Sequence, residues 1–175
     1  MSPDPHPHAN PLHHSSEVDV SVPPAVLFAA LDDHKRLASH MEKPSLLTAG
    51  ASMRIATDAQ HGQAVGSVIS MSGQVLGLTL ALDEVVTDRQ PPFKKTWETR
   101  GQPRLLVIGG YSMGFTITPR QGGSHLVVFI DYGLPDHGFA WLLGKLFGKA
   151  YAGWCTRRMA VDAVRVAAST HRAVA

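Results

Sequence analysis

The side chains that could carry chemistry are few, and they are spread along the chain. Four histidines, His6, His8, His13 and His14, stand close together near the start, where neighbouring imidazoles could chelate a transition metal. No cysteine or carboxylate pattern completes such a site, so we expect a solvated tail and no bound metal. Cys155 is the only cysteine. It excludes an internal disulfide, and its place in a predicted helix indicates a packed thiol and not a nucleophile.

General acid–base catalysis needs a carboxylate or a histidine held inside a site. Strand alternation predicts that the acidic residues lie mostly on outer faces or in turns; these are Asp83, Glu84, Asp88, Glu98 and Asp131. The histidines after the tail fall in predicted helices or loops, and His40 is the best placed of them to reach the mouth of a cavity. Metalloprotease, nucleophile-elbow and phosphate-loop motifs are absent. The sequence therefore identifies no catalytic residue and no cofactor.

The composition limits the class of protein. A chain of 175 residues with 44% hydrophobic and 17% charged residues is typical of one globular domain. The net charge of +2 is small and the basic residues are scattered, so we do not expect a nucleic-acid partner. No apolar run is long enough to cross a bilayer, and the start lacks a secretory signal pattern. We therefore expect a cytoplasmic protein.

The hydrophobic pattern predicts an α+β domain over residues 17–175, after a disordered Pro/His-rich tail over residues 1–16. Residues 17–22 alternate as a strand, Pro24 begins a short helix, and Asp32 or Asp33 caps a second short helix that extends to about His40. A long helix over residues 139–170 ends the domain. Six strands lie between these helices: residues 46–57, 65–71, 75–87, 93–100, 104–118 and 124–134. Their connections are too short for crossover helices, so neighbouring strands should pair antiparallel.

Two segments resemble a known family. Residues 18–41, VDVSVPPAVLFAALDDHKRLASHM, are similar to the opening of the START-like superfamily, also called helix-grip or SRPBCC, which includes polyketide cyclases, aromatases and lipid-transfer domains. SHLVVFIDYGLP and the long helix after it resemble the closing strand and lid of that family. The resemblance implies a helix-grip fold, in which a curved seven-stranded antiparallel sheet wraps around the C-terminal helix. It also implies two short helices after the first strand and a mostly apolar cavity between sheet and helix.

Alternation predicts which strand residues face this cavity. A step of 100° per residue along the helix groups its large apolar residues on one arc, with Arg157 in the middle. The predicted cavity-lining, ligand-binding candidates are Trp97, Tyr111, Met113, Phe115, Tyr132, Trp154 and Arg157. A filled core explains the aromatic and methionine positions equally well. An unpaired Arg157 on that arc would cost several kcal/mol, so it must reach water, pair with a carboxylate or meet a polar ligand group.

The opposite side of the predicted helix carries small residues, Gly144, Gly148 and Ala152, which could let another backbone approach. Trp141, Lys145 and Lys149 also lie on this outward side.

Three functions fit these patterns. The first is a binding protein for a small hydrophobic or amphipathic molecule. The second is a polyketide cyclase- or dehydrase-like enzyme in which Trp97, Tyr111, Tyr132 and Arg157 orient carbonyls or enolates. The third is a protein- or membrane-interaction module that uses the outward face of the helix, and peripheral membrane contact ranks last. The sequence does not predict the ligand or the oligomeric state.

Overall fold

The computed structural model describes residues 12–33, 52–75 and 78–174. The elements in these residues follow the predicted order of one strand, a short helix, six strands and a long helix. They are β1 (Leu12–Val20), α1 (Pro24–Asp32), β2 (Ser52–Thr57), β3 (Val68–Val75), β4 (Leu78–Gln90), β5 (Lys94–Arg104), β6 (Tyr111–Arg120), β7 (Gly123–Tyr132) and α2 (Gly138–Val174). The predicted second short helix lies outside the described residues.

The strands form one antiparallel seven-stranded sheet with the order β1-β7-β6-β5-β4-β3-β2. Consecutive strands from β2 to β7 pair with each other, as their short connections predict, and β1 adds to the far side of β7. The sheet is open, with β1 and β2 at its edges. The register between β4 and β5 shifts twice, between Ala81 and Asp83 and between Val86 and Asp88. Such irregularities bend and twist a sheet.

The first strand begins earlier than the sequence indicated. β1 starts at Leu12 and pairs with β7 from Leu12↔Tyr132 onward, so residues 12–16 belong to the sheet and not to a tail. The hydroxyl of Thr156 on α2 lies 2.8 Å from Ser16 Oγ and 3.2 Å from His14 Nδ1. This polar segment forms a strand because its backbone pairing with β7 and its side-chain contacts with α2 offset the entropic cost of ordering it.

The predicted strand over residues 104–118 divides into two parts. Arg104 ends β5, residues 105–110 form a connection, and β6 begins at Tyr111. Gly109 N donates to Gly133 O at 2.8 Å, and a Cβ on Gly109 would lie 2.9 Å from the Leu134 carbonyl oxygen. A larger residue could not approach this backbone so closely. Residues 105–110 therefore follow this close backbone contact and do not form a strand, although the alternation of apolar residues predicted one there.

The main core lies between α1, the second half of α2 and the inner face of the sheet, which we define as the face that packs against both helices. Phe115 on β6 is fully buried between Phe28 of α1 and Trp97 of β5, with ring centroids 5.6 and 6.4 Å away. The predicted inner row of β7 is confirmed, because Leu126, Val128, Ile130 and Tyr132 are all buried.

The predicted orientation of the long helix is wrong. The small residues Gly144, Gly148 and Ala152 are packed on the sheet side, whereas the apolar arc that contains Leu146, Trp154 and Arg157 is exposed. A Cβ on Gly144 would lie 3.0 Å from the carbonyl oxygen of Val107 and 2.9 Å from Pro135 Cδ. The Val107 carbonyl and the side chains of Leu134 and Pro135 lie close to this stretch of α2, so the helix fits there only with its narrow side.

A buried ion cluster joins α1 to the sheet. Lys95 on β5 is fully buried, and its Nζ donates to Asp32 Oδ1 at 2.7 Å. Arg89 on β4 adds two hydrogen bonds to the same carboxylate, at 2.8 and 3.2 Å. Burial alone would raise the pKa of Asp32, but the hydrogen bonds from Arg89 and Lys95 outweigh it and lower the pKa. Asp32 therefore anchors the end of α1 to the sheet, a role that the sequence did not suggest.

Neither helix in the described ranges combines the length and the apolar composition needed to cross a membrane. The location expected from the sequence stays a prediction.

Candidate functional site on the inner face of the sheet

A polar row crosses the otherwise apolar inner face of the sheet. Glu84 on β4 is opposite Thr99 on β5, Thr99 Oγ1 bonds the backbone of Tyr111 on β6, and Tyr111 pairs with Tyr132 on β7. On the other side of Glu84 the row continues to Ile69 of β3, which is fully buried. Register therefore brings together polar groups from four neighbouring strands that are far apart in the sequence.

Glu84 is the centre of this row. Its side chain is 1% exposed. Trp97 Nε1 donates to Glu84 Oε1 at 3.1 Å, and the Tyr111 hydroxyl donates to the same oxygen. The other oxygen, Oε2, is buried and has no hydrogen-bond partner in the part of the chain that the structure describes. Buried polar atoms are rarely left unpaired, because the loss of hydration is not then compensated.

The protonation of Glu84 is set by its burial. Burial raises the pKa of the Glu84 carboxyl from 4.5 to about 7, against the hydrogen bonds from Tyr111 and Trp97 and the positive charge of Lys95, which lower it. Because Oε1 already accepts two hydrogen bonds, the proton of the neutral acid belongs on Oε2. Near neutral pH this oxygen can therefore donate a hydrogen bond when protonated and accept one when ionised.

The long helix contributes a second pair of groups near this row. Tyr151 and Cys155 are one turn apart on α2. The pKa of Tyr151 is raised well above 10, first by Cys155, then by burial, by its hydrogen bond with Cys155 and by Glu84. Burial raises the pKa of the Cys155 thiol to about 12. The thiol is therefore protonated at neutral pH and a poor nucleophile, which agrees with the expectation of a packed cysteine.

Five of the seven predicted site residues lie on the inner face. Trp97 and Tyr111 hold Glu84, while Phe115 fills the main core. Met113 is partly buried between the main core and a smaller cluster that contains buried Tyr132. Burial raises the pKa of Tyr111, and the charge of Glu84 raises it further. Whether these residues contact a ligand stays a prediction.

The other two predicted residues do not face the sheet. Trp154 is 38% exposed and stacks on Tyr151 with ring centroids 6.1 Å apart. Arg157 is exposed and lies where two open surface grooves of about 600 and 540 Å³ meet, along the outer line between β1 and α2. Of the options considered for Arg157, the structure shows that it reaches water.

Sequence reasoning missed Glu84 and Lys95, although a signal for both was present. Glu84 is two residues after Leu82, so strict alternation along β4 places both on the inner face, and both are buried. Lys95 is likewise two residues before Trp97. The expectation that Glu84 lies outward is wrong, because hydrogen bonds from Trp97 and Tyr111 hold its carboxyl on the inner face. No group of three or more histidine, cysteine or acidic side chains close enough to hold a metal is found among residues 12–33, 52–75 and 78–174.

Several solved structures share this architecture. TTHA0849 from Thermus thermophilus has a TM-score of 0.65 and 13% identity over 91% of this chain and 99% of that chain. The Zhui aromatase/cyclase from Streptomyces sp. R1128 has a TM-score of 0.63 and 16% identity over 94% and 96%. Ara h 8.0201 has a TM-score of 0.55 and 16% identity over 89% and 97%. No protein-family model and no curated protein matches the chain.

These likenesses concern the fold, since the identities are low. Together with the seven-stranded antiparallel sheet and the long C-terminal helix, they show that the chain has the α+β helix-grip fold. The fold implied by the sequence resemblance is therefore confirmed.

Proposed function

We propose that this protein binds a small hydrophobic or amphipathic molecule between the inner face of the sheet and α2, with Glu84 as its polar contact. The observation that carries the proposal is the buried Oε2 of Glu84, which lacks a hydrogen-bond partner among the described residues. The surrounding inner face is aliphatic and aromatic, which suits an apolar ligand with a single polar group. The fold supports the proposal, because the START-like resemblance implies an apolar cavity at this place.

The hydrogen bonds around Glu84 indicate the chemistry of that polar group. Trp97 and Tyr111 orient the carboxyl through Oε1 and leave Oε2 for the ligand. A ligand carbonyl would accept the proton of the neutral acid, whereas a ligand hydroxyl would donate to the ionised form. We therefore expect a ligand with a carbonyl or hydroxyl group on a mainly hydrocarbon frame, such as a polyketide, quinone or oxygenated lipid.

Native mass spectrometry of freshly purified protein, followed by denaturing extraction, tests the proposal. We expect the wild-type chain to retain a small apolar molecule, and Glu84→Leu to retain much less of it. Glu98→Leu, which removes an exposed carboxylate from the neighbouring strand β5, is the matched control and should retain as much as wild type. If the wild-type chain carries no molecule and takes none up from a lipid extract, or if Glu84→Leu retains as much as Glu98→Leu, the proposal is wrong.

A second candidate function is cyclase- or dehydrase-like catalysis on the bound molecule. The observation that favours it is the Glu84 carboxyl, whose pKa of about 7 is in the range of an effective general acid or base. The similar fold of the Zhui aromatase/cyclase is compatible with it. Incubation of the extracted molecule or its open-chain precursor with Glu84→Gln distinguishes the two functions. If the protein is an enzyme, Glu84→Gln loses turnover but still binds the molecule. If it is a binding protein, neither wild type nor Glu84→Gln shows turnover.

A further inference from the structure

The outer face of α2, defined by Phe139, Leu142, Leu146, Phe147, Trp154 and Val161, is apolar and open to water. All six side chains are exposed, with Phe139 at 74% and Leu146 at 64%. They recur at helical spacing over more than five turns. Monomeric proteins rarely expose a continuous apolar patch of this kind unless it meets a partner or a membrane.

The charges beside this face have one sign. Between Gly138 and Val161 the helix carries Lys145, Lys149, Arg157 and Arg158, with no acidic residue. At 100° per residue, Lys149 lies about 80° to one side of Arg157 and Arg158 about 100° to the other. Basic residues therefore flank the apolar strip on both sides.

Most of these cations are uncompensated. Lys145, Lys149 and Arg157 have no carboxylate partner in the described part of the chain, and Lys145 Nζ lies 4.2 Å above the ring of Trp141. Of the four, Arg158 alone is paired among these residues, with Asp162 of the following turn at 3.1 Å. An apolar strip that carries the unpaired Arg157 and is bordered on one side by the unpaired Lys149 complements an anionic lipid surface, in which acyl chains lie beneath negative headgroups.

A second copy of the chain fits this face less well. A twofold dimer through α2 would bring Lys145, Lys149 and Arg157 of one copy towards the same residues of the other. The outer face of α2 offers no carboxylate to pair with them between Gly138 and Val161, and like charges across an interface are costly. An anionic bilayer satisfies both the apolar strip and the flanking charges.

We propose that the outer face of α2 docks on the surface of an anionic lipid bilayer. The large apolar side chains enter the boundary between headgroups and acyl chains, and the flanking lysines and arginines meet lipid phosphates. This is a second function, which does not depend on a ligand inside the fold.

Vesicle flotation of the whole chain tests the proposal. We expect binding to vesicles of phosphatidylcholine with phosphatidylglycerol, little binding to phosphatidylcholine alone, and weaker binding as salt increases. Each basic residue near an anionic surface contributes about fivefold to binding. Lys145→Glu with Lys149→Glu should therefore reduce the partition coefficient by at least about 25-fold. Leu146→Glu should also reduce it strongly by placing a charge in the apolar strip.

Two matched controls separate docking from general effects of charge. Val65→Glu adds the same charge at an apolar residue that is 61% exposed outside α2, and Arg120→Glu reverses an exposed charge at the end of β6. Both should bind vesicles as wild type does, and circular dichroism should show that all variants are folded. The proposal is overturned if wild type binds neither vesicle, or if it binds both equally. A dimer in solution that Leu146→Glu abolishes, without vesicle binding, also overturns it in favour of self-association.

Discussion

Replacement of Glu84 by Gln should remove a pH dependence from the stability of this protein. Burial raises the pKa of the Glu84 carboxyl to about 7, above the value of 4.5 expected in the unfolded chain. The folded state therefore holds this proton more tightly than the unfolded state does. The resulting stability is present in full below pH 4.5 and is lost as the pH rises through 7. Gln has nearly the same shape as the protonated acid, and it does not ionise.

The magnitude follows from the two pKa values. A change from 4.5 to about 7 corresponds to about 3 kcal/mol, at about 1.4 kcal/mol for each tenfold change in proton affinity. About 1 kcal/mol of this stabilisation is already lost at about pH 5, because the glutamate of the unfolded chain is then largely ionised. About 2–3 kcal/mol of the wild-type free energy of unfolding should therefore disappear between about pH 5 and about pH 8 on account of Glu84.

Urea unfolding at about pH 5 and about pH 8 measures this difference. Because all other titrating groups are shared, the free energy of unfolding of Glu84→Gln relative to that of wild type should rise by about 2–3 kcal/mol between the two pH values. Glu98→Gln, which changes an exposed glutamate on β5, should follow wild type. If Glu84→Gln also follows wild type, then Glu84 is not a buried acid with a raised pKa, and our account of the inner face is refuted.

Three further predictions concern the packing of α2, the buried ion cluster and the main core. Gly148→Ala should stabilise α2 by up to about 1 kcal/mol, because the new methyl meets its neighbours at an ordinary 3.5 Å; Gly144→Ala should bring no such gain, because its methyl would lie 2.9 Å from a proline ring. Asp32→Asn should cost about 3 kcal/mol or more, because it removes the carboxylate that accepts a hydrogen bond from buried Lys95 and pairs with its charge. Phe115→Ala should cost about 3–5 kcal/mol by opening a cavity in the main core.

Thermal and urea unfolding measure all of these changes. Asp88→Asn, which removes the exposed partner of Lys94, is the control for Asp32→Asn and should leave the unfolding midpoint unchanged. Leu12→Ala, at an exposed residue of β1, is the control for Phe115→Ala. Equal effects of Gly144→Ala and Gly148→Ala would contradict the packing described for α2. A mild effect of Asp32→Asn would show that Lys95 finds another partner.

The sequence predicted the strands well where one face is buried and the other is open. Along β7, buried residues alternate with partly exposed ones, and the predicted inner row from Leu126 to Tyr132 is the buried row. The limits of strands were predicted less well. β1 extends back to Leu12 through polar residues, and the apolar alternation after Arg104 continues through residues 105–110, which form a connection and not a strand. Backbone pairing and close backbone contacts decide these limits, and neither leaves a hydrophobic pattern.

The candidate site, too, could be predicted from the sequence only in part. Trp97 and Tyr111 could be assigned to the inner face because each follows the alternation of its own strand. Their convergence on Glu84 could not be predicted, because it depends on the register of β4 against β5 and of β5 against β6. A shift of one residue in either pairing would place members of this group on opposite faces of the sheet. Register is a property of the assembled sheet.

By itself the sequence determined the order of the elements and their antiparallel pairing, because alternation, turn residues and short connections are local properties. The helix-grip fold was implied by the family resemblance of residues 18–41 and of the closing strand and helix. Only the tertiary structure decided which side of α2 meets the sheet. Hydrophobicity favoured the bulky arc around Arg157, but the Val107 carbonyl and the side chains of Tyr132, Leu134 and Pro135 lie close to this part of α2. The glycine and alanine side of α2 fits the remaining space, so volume and not hydrophobicity set the orientation. That choice left the apolar strip of α2 outside.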